Sequence, residues 1–232
     1  MAIRAVFFDA AGTLIKTAES VGESYAAIAE KYGIRVAPVE LLPRFRACFD
    51  SSPPLAFPGA QALTISELEQ AWWKRVVQQV FLPFGPFDDF DTYFDELFAY
   101  FARSESWVLY PEATETLAAL SARGLKLAVV SNFDSRLLRI LQGLGVAAAF
   151  DGIFVSSSVG YAKPDRRIFD FVLKEQQLAP EQVLHVGDSI TNDIDGATNA
   201  GVKGILVDRK GAHQAAALTR VASLKDVLDH LG

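Results

Sequence analysis

Five short apolar runs punctuate the chain, and each ends in glycine or polar residues. The first, Ile3–Phe8, shows little alternation. Runs of that kind suit strands buried on both faces, as in a parallel sheet. Leu125–Val130, Val183–Val186 and Gly204–Val207 repeat the pattern, and Ile153–Val155 is a shorter fifth. Helical patterns lie between them. Pro111 suits the first position of a helix running to Arg123, with Gly124 just past its end. Asp134 can cap a helix over Ser135–Gln142, ended by Gly143 or Gly145. Asp165–Gln177 and Asn192–Ala200 complete the series. Strands alternating with helices predict an α/β fold, a Rossmann-like three-layer sandwich with right-handed crossovers. In such sheets the site forms outside the carboxyl ends of the strands.

The segment 16–107 breaks this rhythm. It carries no convincing strand and reads as several helices inserted after the first strand. Residues 1–15 and 108–232 are thus expected to form the core, and 16–107 a separate helical unit. Thr64 and Glu67 have capping-box spacing. Phe87, Phe90 and Phe94 fall on one helical face and read as core. Pro53-Pro54 and Pro83-Phe84-Gly85-Pro86 mark loops within the segment.

Composition narrows the function classes. The chain has 232 residues, half of them hydrophobic, enough for a sizeable core. Its formal net charge is −6. The inserted segment holds 8 Lys and Arg against 13 Asp and Glu, a net of −5, so the acidity is concentrated there. Such a balance disfavours nucleic acid and anionic membrane surfaces as partners. No apolar stretch approaches the roughly 20 residues that span a bilayer, and the short run before Asp9 reads as a strand, not a signal peptide. The single cysteine, Cys48, lies between Phe45 and Phe49 and reads as packing; with no internal disulfide possible, a cytoplasmic location is expected.

Four polar segments follow the ends of four strands. Asp9, in Phe8-Asp9-Ala10-Ala11-Gly12-Thr13, is a carboxylate at an exposed strand end, placed to act as a nucleophile or to cap the next turn. Ser131 and Asn132 can hydrogen-bond a phosphoryl oxygen, or simply favour a strand-to-helix turn. Lys163 stands just before a helix start, where the dipole disfavours a cation unless negative charge meets it. Asp188 and Asp193 lie in Gly187-Asp188-Ser189-Ile190-Thr191-Asn192-Asp193. With Asp9, Asp188 offers the carboxylate pair that suits Mg²⁺. Asp193 reads as a partner behind the ligands or as a helix cap, and His185 as a core histidine.

In order and spacing, these segments resemble the haloacid dehalogenase superfamily of hydrolases along the whole chain. The insertion resembles the helical cap of the branch holding haloacid dehalogenases, phosphoglycolate phosphatases and phosphonoacetaldehyde hydrolases. The resemblance implies Asp9 as nucleophile and metal ligand, Ser131 and Asn132 as phosphoryl-binding groups, and Lys163 as the neutralising cation. It implies Mg²⁺ held by Asp9, the Ala11 carbonyl and Asp188, with a phosphate ester or acyl phosphate as the small-molecule substrate.

The chain departs from the phosphatase pattern at one position. The phosphatases carry a second Asp two residues after the nucleophile, as the acid and base; here that position is Ala11. General acid–base catalysis contributes ~10²–10⁴-fold, so substrates with good leaving groups suffer least. Dehalogenases also lack that Asp, which points to a 2-haloacid dehalogenase as an alternative. They need no metal, however, and the Gly187-Asp188 segment is retained. A non-catalytic binding or regulatory module on the same fold is a further alternative. Phosphonoacetaldehyde hydrolases combine Ala with a metal but need a cap lysine, and Lys16, Lys31 and Lys74 lie in no matching motif.

Overall fold

The computed structural model of the chain describes residues 2–213 and 218–231. Its strands and helices are β1 (Ala5–Phe8), β2 (Ile15–Thr17), α1 (Val21–Glu30), α2 (Pro38–Ser51), α3 (Ala62–Phe81), α4 (Phe90–Phe101), β3 (Trp107–Leu109), α5 (Ala113–Ala122), β4 (Lys126–Ser131), α6 (Arg136–Gly143), β5 (Gly152–Val155), α7 (Ser156–Val159), α8 (Arg166–Gln176), β6 (Val183–Gly187), α9 (Gly196–Asn199), β7 (Lys203–Val207) and β8 (Arg220–Val221). Six of the strands form one parallel sheet in the order β5-β4-β1-β6-β7-β8. The fold is a Rossmann-like α/β sandwich.

The apolar runs of β1, β4 and β6 are buried on both faces, as continuous hydrophobicity requires. Val6 and Phe8 of β1 join one cluster with Leu117 and Leu120 of α5 and Leu137, Ile140 and Leu141 of α6. Ala5 and Phe7 point the other way, into a cluster with Ile168, Phe169 and Val172 of α8 and Ala197 of α9. Both phenylalanines are fully buried, and truncating either to alanine costs ~3–5 kcal/mol. The central strand is therefore clamped from both sides, which fixes the position of Asp9 at its end.

Between β2 and β3 the chain makes α1 to α4. Tyr25, Leu41, Val77, Phe81, Tyr93 and Phe94 form their shared core. Phe87 stacks on Tyr93 with ring centroids 4.4 Å apart. Phe87 precedes α4 rather than lying on it, but it packs with Phe90 and Phe94 as the apolar pattern indicates.

Five local readings are corrected. The inserted segment is not free of strands at its ends: β2 and β3 pair antiparallel, Ile15 opposite Leu109 and Thr17 opposite Trp107. Strands of three residues carry too little periodicity to be seen, and Lys16 lies in β2, not on a helix. Thr64 and Glu67 form no capping box, because α3 starts earlier, at Ala62, and Thr64 Oγ1 donates to the Gln61 carbonyl. The helix after Pro111 begins two residues later than expected, with Glu112 as its N-cap. β8 adds an edge strand of two residues that no apolar run announces. The helix expected from Asn192 is a wide π turn, Ile190–Asp195, leading into α9. No helix among the described residues is long and apolar enough to cross a membrane.

Candidate active site

β1 lies between β4 and β6, where the strand order reverses direction. Crevices form at such switch points. Asp9 directly follows β1, Ser131 ends β4, and Asp188 directly follows β6. Adjacent strand ends thus bring together residues far apart in the chain. Lys163, in the loop before α8, completes the group.

The contacts are specific. Asp9 Oδ1 accepts from Ser131 Oγ at 3.0 Å and from Lys163 Nζ at 2.8 Å. Lys163 Nζ also donates to Asp193 Oδ1. His185 Nε2 lies 2.9 Å from the same oxygen, and Ser189 N donates to Asp193 Oδ2 at 3.0 Å. Of its two readings, Asp193 is thus not a helix cap; it stands behind the other groups as the carboxylate on which the lysine is anchored. The π turn is what brings it there, with the backbone N–H groups of Asp193 and Ile194 both reaching the Ser189 carbonyl. Asn132 holds the lysine from its other side: Nδ2 donates to the Lys163 carbonyl at 2.8 Å, and Oδ1 accepts from the Lys163 N–H at 2.7 Å. His185 is a core residue, fully buried as expected, but it also touches the site.

Two glycines are dictated by this crowding. A Cβ on Gly12, whose φ is +95°, would stand 2.2 Å from Asp188 Oδ2. One on Gly187 would stand 2.1 Å from Asp193 Cγ. Any side chain at either position would displace a carboxylate.

The electrostatics are unbalanced. Lys163 is 4 % exposed and Asp193 1 %. Burial alone would neutralise such a lysine, but Asp193 and Asp9 hold it above its usual range. Burial works likewise against the Asp193 charge, yet Lys163 and the His185 hydrogen bond hold its carboxyl below the usual carboxylate range. Burial pushes Asp9 up, with Lys163 opposing and Asp193 reinforcing the rise. Burial lowers His185, which keeps the ring neutral. Asp188 opens on the cavity; desolvation, then the Asp9 and Asp193 charges, push its carboxyl up to about 7.

Asp9, Asp188 and Asp193 each place a carboxylate oxygen within 4.8 Å of the others. With all three carboxylates ionised against one ammonium, the formal charge of the group is −2. Both oxygens of Asp193 are engaged, whereas Asp9 Oδ2 and the Asp188 carboxylate have no side-chain donor among the described residues. Ala11 lines the same cavity, and no backbone donor takes its carbonyl among the described residues. A hard divalent cation fits this oxygen set and its charge deficit.

The cavity above these groups has a volume of about 430 Å³. Its floor is the polar cluster, and its roof is Phe49, Asp50, Ser52, Pro53, Pro54, Leu55 and Trp72, from α2, α3 and the loop between them. Several contacts at this seam escaped the sequence reading. Glu69 of α3, 1 % exposed, accepts from Ser135 N at 2.9 Å, Ser135 Oγ at 2.6 Å and Ser157 Oγ at 2.6 Å. Asp134 does reach the start of α6, accepting from Arg136 N at 3.0 Å, but it also takes the Arg136 guanidinium and Trp73 Nε1. Arg209, after β7, donates to the carbonyls of Gly12 and Thr13, both at 2.8 Å, and pairs with Glu112. It thereby braces the turn that follows Asp9. No sequence signal marks Arg209 or Glu69, because their partners are set only by tertiary packing.

Comparison with known proteins agrees with this arrangement. A family model for haloacid dehalogenase-like hydrolases matches residues 3–201. The haloacid dehalogenase-like hydrolase domain-containing protein 3 of Mus musculus is 37% identical over 207 residues, covering 88% of this chain and 82% of that protein. A phosphoserine phosphatase of Thermus thermophilus is 41% identical over 112 residues, covering 48% of this chain and 45% of that one. Among solved structures, the magnesium-bound HAD-hydrolase YfnB of Bacillus subtilis superposes with a TM-score of 0.76 at 18% identity, covering 100% of both chains. The chain belongs to the haloacid dehalogenase-like hydrolases.

Proposed function

We propose that the protein is a Mg²⁺-dependent phosphohydrolase that works through an aspartyl-phosphate on Asp9, with α1–α4 acting as its cap. One observation carries this reading: three carboxylates, Asp9 among them, gather around a single ammonium, and Asp188 is left without an ion-pair partner. An anionic nucleophile meeting an anionic phosphate needs a cation; one meeting an alkyl halide does not.

The residues divide the work as follows. Asp9 Oδ1 is held by Ser131 and Lys163, which leaves Oδ2 free to attack phosphorus. The bond from phosphorus to the leaving oxygen breaks, and its electron pair departs with that oxygen. Water then attacks phosphorus, the Asp9–phosphate bond breaks, and phosphate and free Asp9 result. Lys163 and Ser131 stabilise charge on the transferring group. Asp193 and Asn132 position Lys163. When bound by Asp9, Asp188 and the Ala11 carbonyl, Mg²⁺ would offset the negative charge of nucleophile and phosphate. No carboxylate stands at position 11 to protonate the leaving group, so aryl and acyl phosphates are the favoured substrates.

The test is turnover of p-nitrophenyl phosphate and acetyl phosphate with and without Mg²⁺. Metal-dependent release of phosphate, abolished by Asp9→Asn, is expected. Absence of both would overturn the reading. A 2-haloacid dehalogenase is the second reading, favoured by Ala11 itself. Metal-independent chloride release from a short 2-haloacid would establish it. Among the described residues the only cationic side chain lining the cavity is Lys163, already paired with two carboxylates, so a haloacid carboxylate would find no free cation there.

A further inference from the structure

The roof of the cavity carries information that the reacting groups do not. Of the roof residues, Asp50 alone is charged, and neither Lys nor Arg is among them. Asp50 makes no ion pair among the described residues. Beside it stand two aromatic side chains. Phe49 meets Trp72 edge-on at 5.8 Å, and Trp72 is fixed by donating Nε1 to the Pro53 carbonyl at 2.9 Å. The floor has no spare cation either, since Lys163 is held between Asp9 and Asp193. Asp50 is exposed, and a second anionic group on the substrate would therefore meet its charge with no side-chain cation beside it among the described residues. An aromatic wall beside a carboxylate is instead the setting that receives an organic cation.

From this roof we infer that the substrate is an aryl phosphate whose leaving group carries a positive charge, read by Asp50 together with Phe49 and Trp72. The inference rests on the phosphohydrolase reading and deepens it. The aromatic part of the leaving group lies against Phe49 and Trp72, and its ammonium faces Asp50. An aryl oxygen also departs without the missing acid at position 11, so roof and floor ask for the same kind of molecule. Asp50 is a specificity-determining residue and takes no part in bond making.

The experiment compares 4-(aminomethyl)phenyl phosphate, phenyl phosphate and 4-carboxyphenyl phosphate in the presence of Mg²⁺. In the parent protein kcat/KM is expected to favour the ammonium probe over phenyl phosphate by about fivefold, as an ion pair between its ammonium and Asp50 allows. The carboxyphenyl probe should be the poorest. In Asp50→Asn the ratio of ammonium to neutral probe should fall to about one, and in Asp50→Lys the carboxyphenyl probe should become the best, the same charge term with its sign reversed. A flat ratio in the parent, or a preference that survives Asp50→Asn, overturns the inference while leaving the phosphohydrolase reading intact. If no probe is turned over, the phosphohydrolase reading has failed, and calorimetric binding of the same probes to Asp9→Asn decides the inference by the same order and the same reversal.

Discussion

The floor and the roof of the cavity are built on opposite principles. On the floor, Asp9, Ser131, Lys163 and Asp193 each make at least one side-chain hydrogen bond to another of the four, and Asn132 clamps the lysine main chain. The positions are set by three adjacent parallel strands whose apolar residues are buried on both faces. In the roof, α2 and α3 present aromatic and proline surface, held by ring contacts such as Phe49 on Trp73 and Trp72 on Trp73. Directional bonds fix a reacting geometry; ring packing fixes a shape and tolerates change. On the proposed reading, the contrast means that chemistry is written into the core, and selection into the inserted helices.

The contrast would break first at Lys163, the one cation among the three acids. Lys163→Met leaves Asp9 and Asp193 buried without their counter-charge. Removing one member of a buried pair costs ~3–5 kcal/mol, measurable by urea denaturation. Turnover should fall about 10²–10³-fold, the loss typical of a removed charge-stabilising donor. The stability loss should shrink at low pH, where protonation relieves the stranded carboxylates. An equal loss at all pH values would show that the floor is not held by charge.

A smaller effect concerns metal and protons. Asp188 is held at about 7 in the metal-free protein, against 3.8 for an ordinary aspartate. Between those values the native state binds more protons than the unfolded state, so this group makes the metal-free protein less stable as pH rises from about 4 to about 7. Mg²⁺ must displace that proton. Its apparent affinity should weaken by about tenfold per pH unit below about 7. Correspondingly, the Tm gain on adding Mg²⁺ should be larger at pH 8 than at pH 5. Equal gains would remove Asp188 from the ligand set.

Much of the floor was legible in the sequence because each residue follows an apolar run that can only be a buried strand. Asp9 after Ile3–Phe8 and Asp188 after Val183–Val186 need no tertiary knowledge to be placed at strand ends. Asp193 was noticed, but its anchoring of Lys163 was not, because the π turn that swings it inward has no sequence signature. Arg209 was invisible for a like reason, its partners being the carbonyls of Gly12 and Thr13, which any residue could supply. The roof was illegible almost entirely. Phe49, Asp50 and Trp72 stand in no motif, and which side of α2 and α3 meets the core depends on how those helices pack.

The seam between roof and floor gives the smallest effect. Trp73 Nε1 donates to Asp134 Oδ2 at 2.6 Å, and Asp134 is also held by the Arg136 guanidinium. Trp73→Phe keeps a ring for Phe49 and Arg136 to pack on but deletes this tie between α3 and the start of α6. Because Arg136 still satisfies the carboxylate, the cost should be about 1–2 kcal/mol rather than the full value for a stranded buried charge. Hydrogen exchange in α3 should quicken, and KM should rise a few-fold as the roof loosens. The Mg²⁺ dependence and its pH profile should stay as in the parent, since no floor contact is touched. A shift in that profile would mean that roof and floor are coupled through Asp134, and the division of labour between them would fail at its narrowest point.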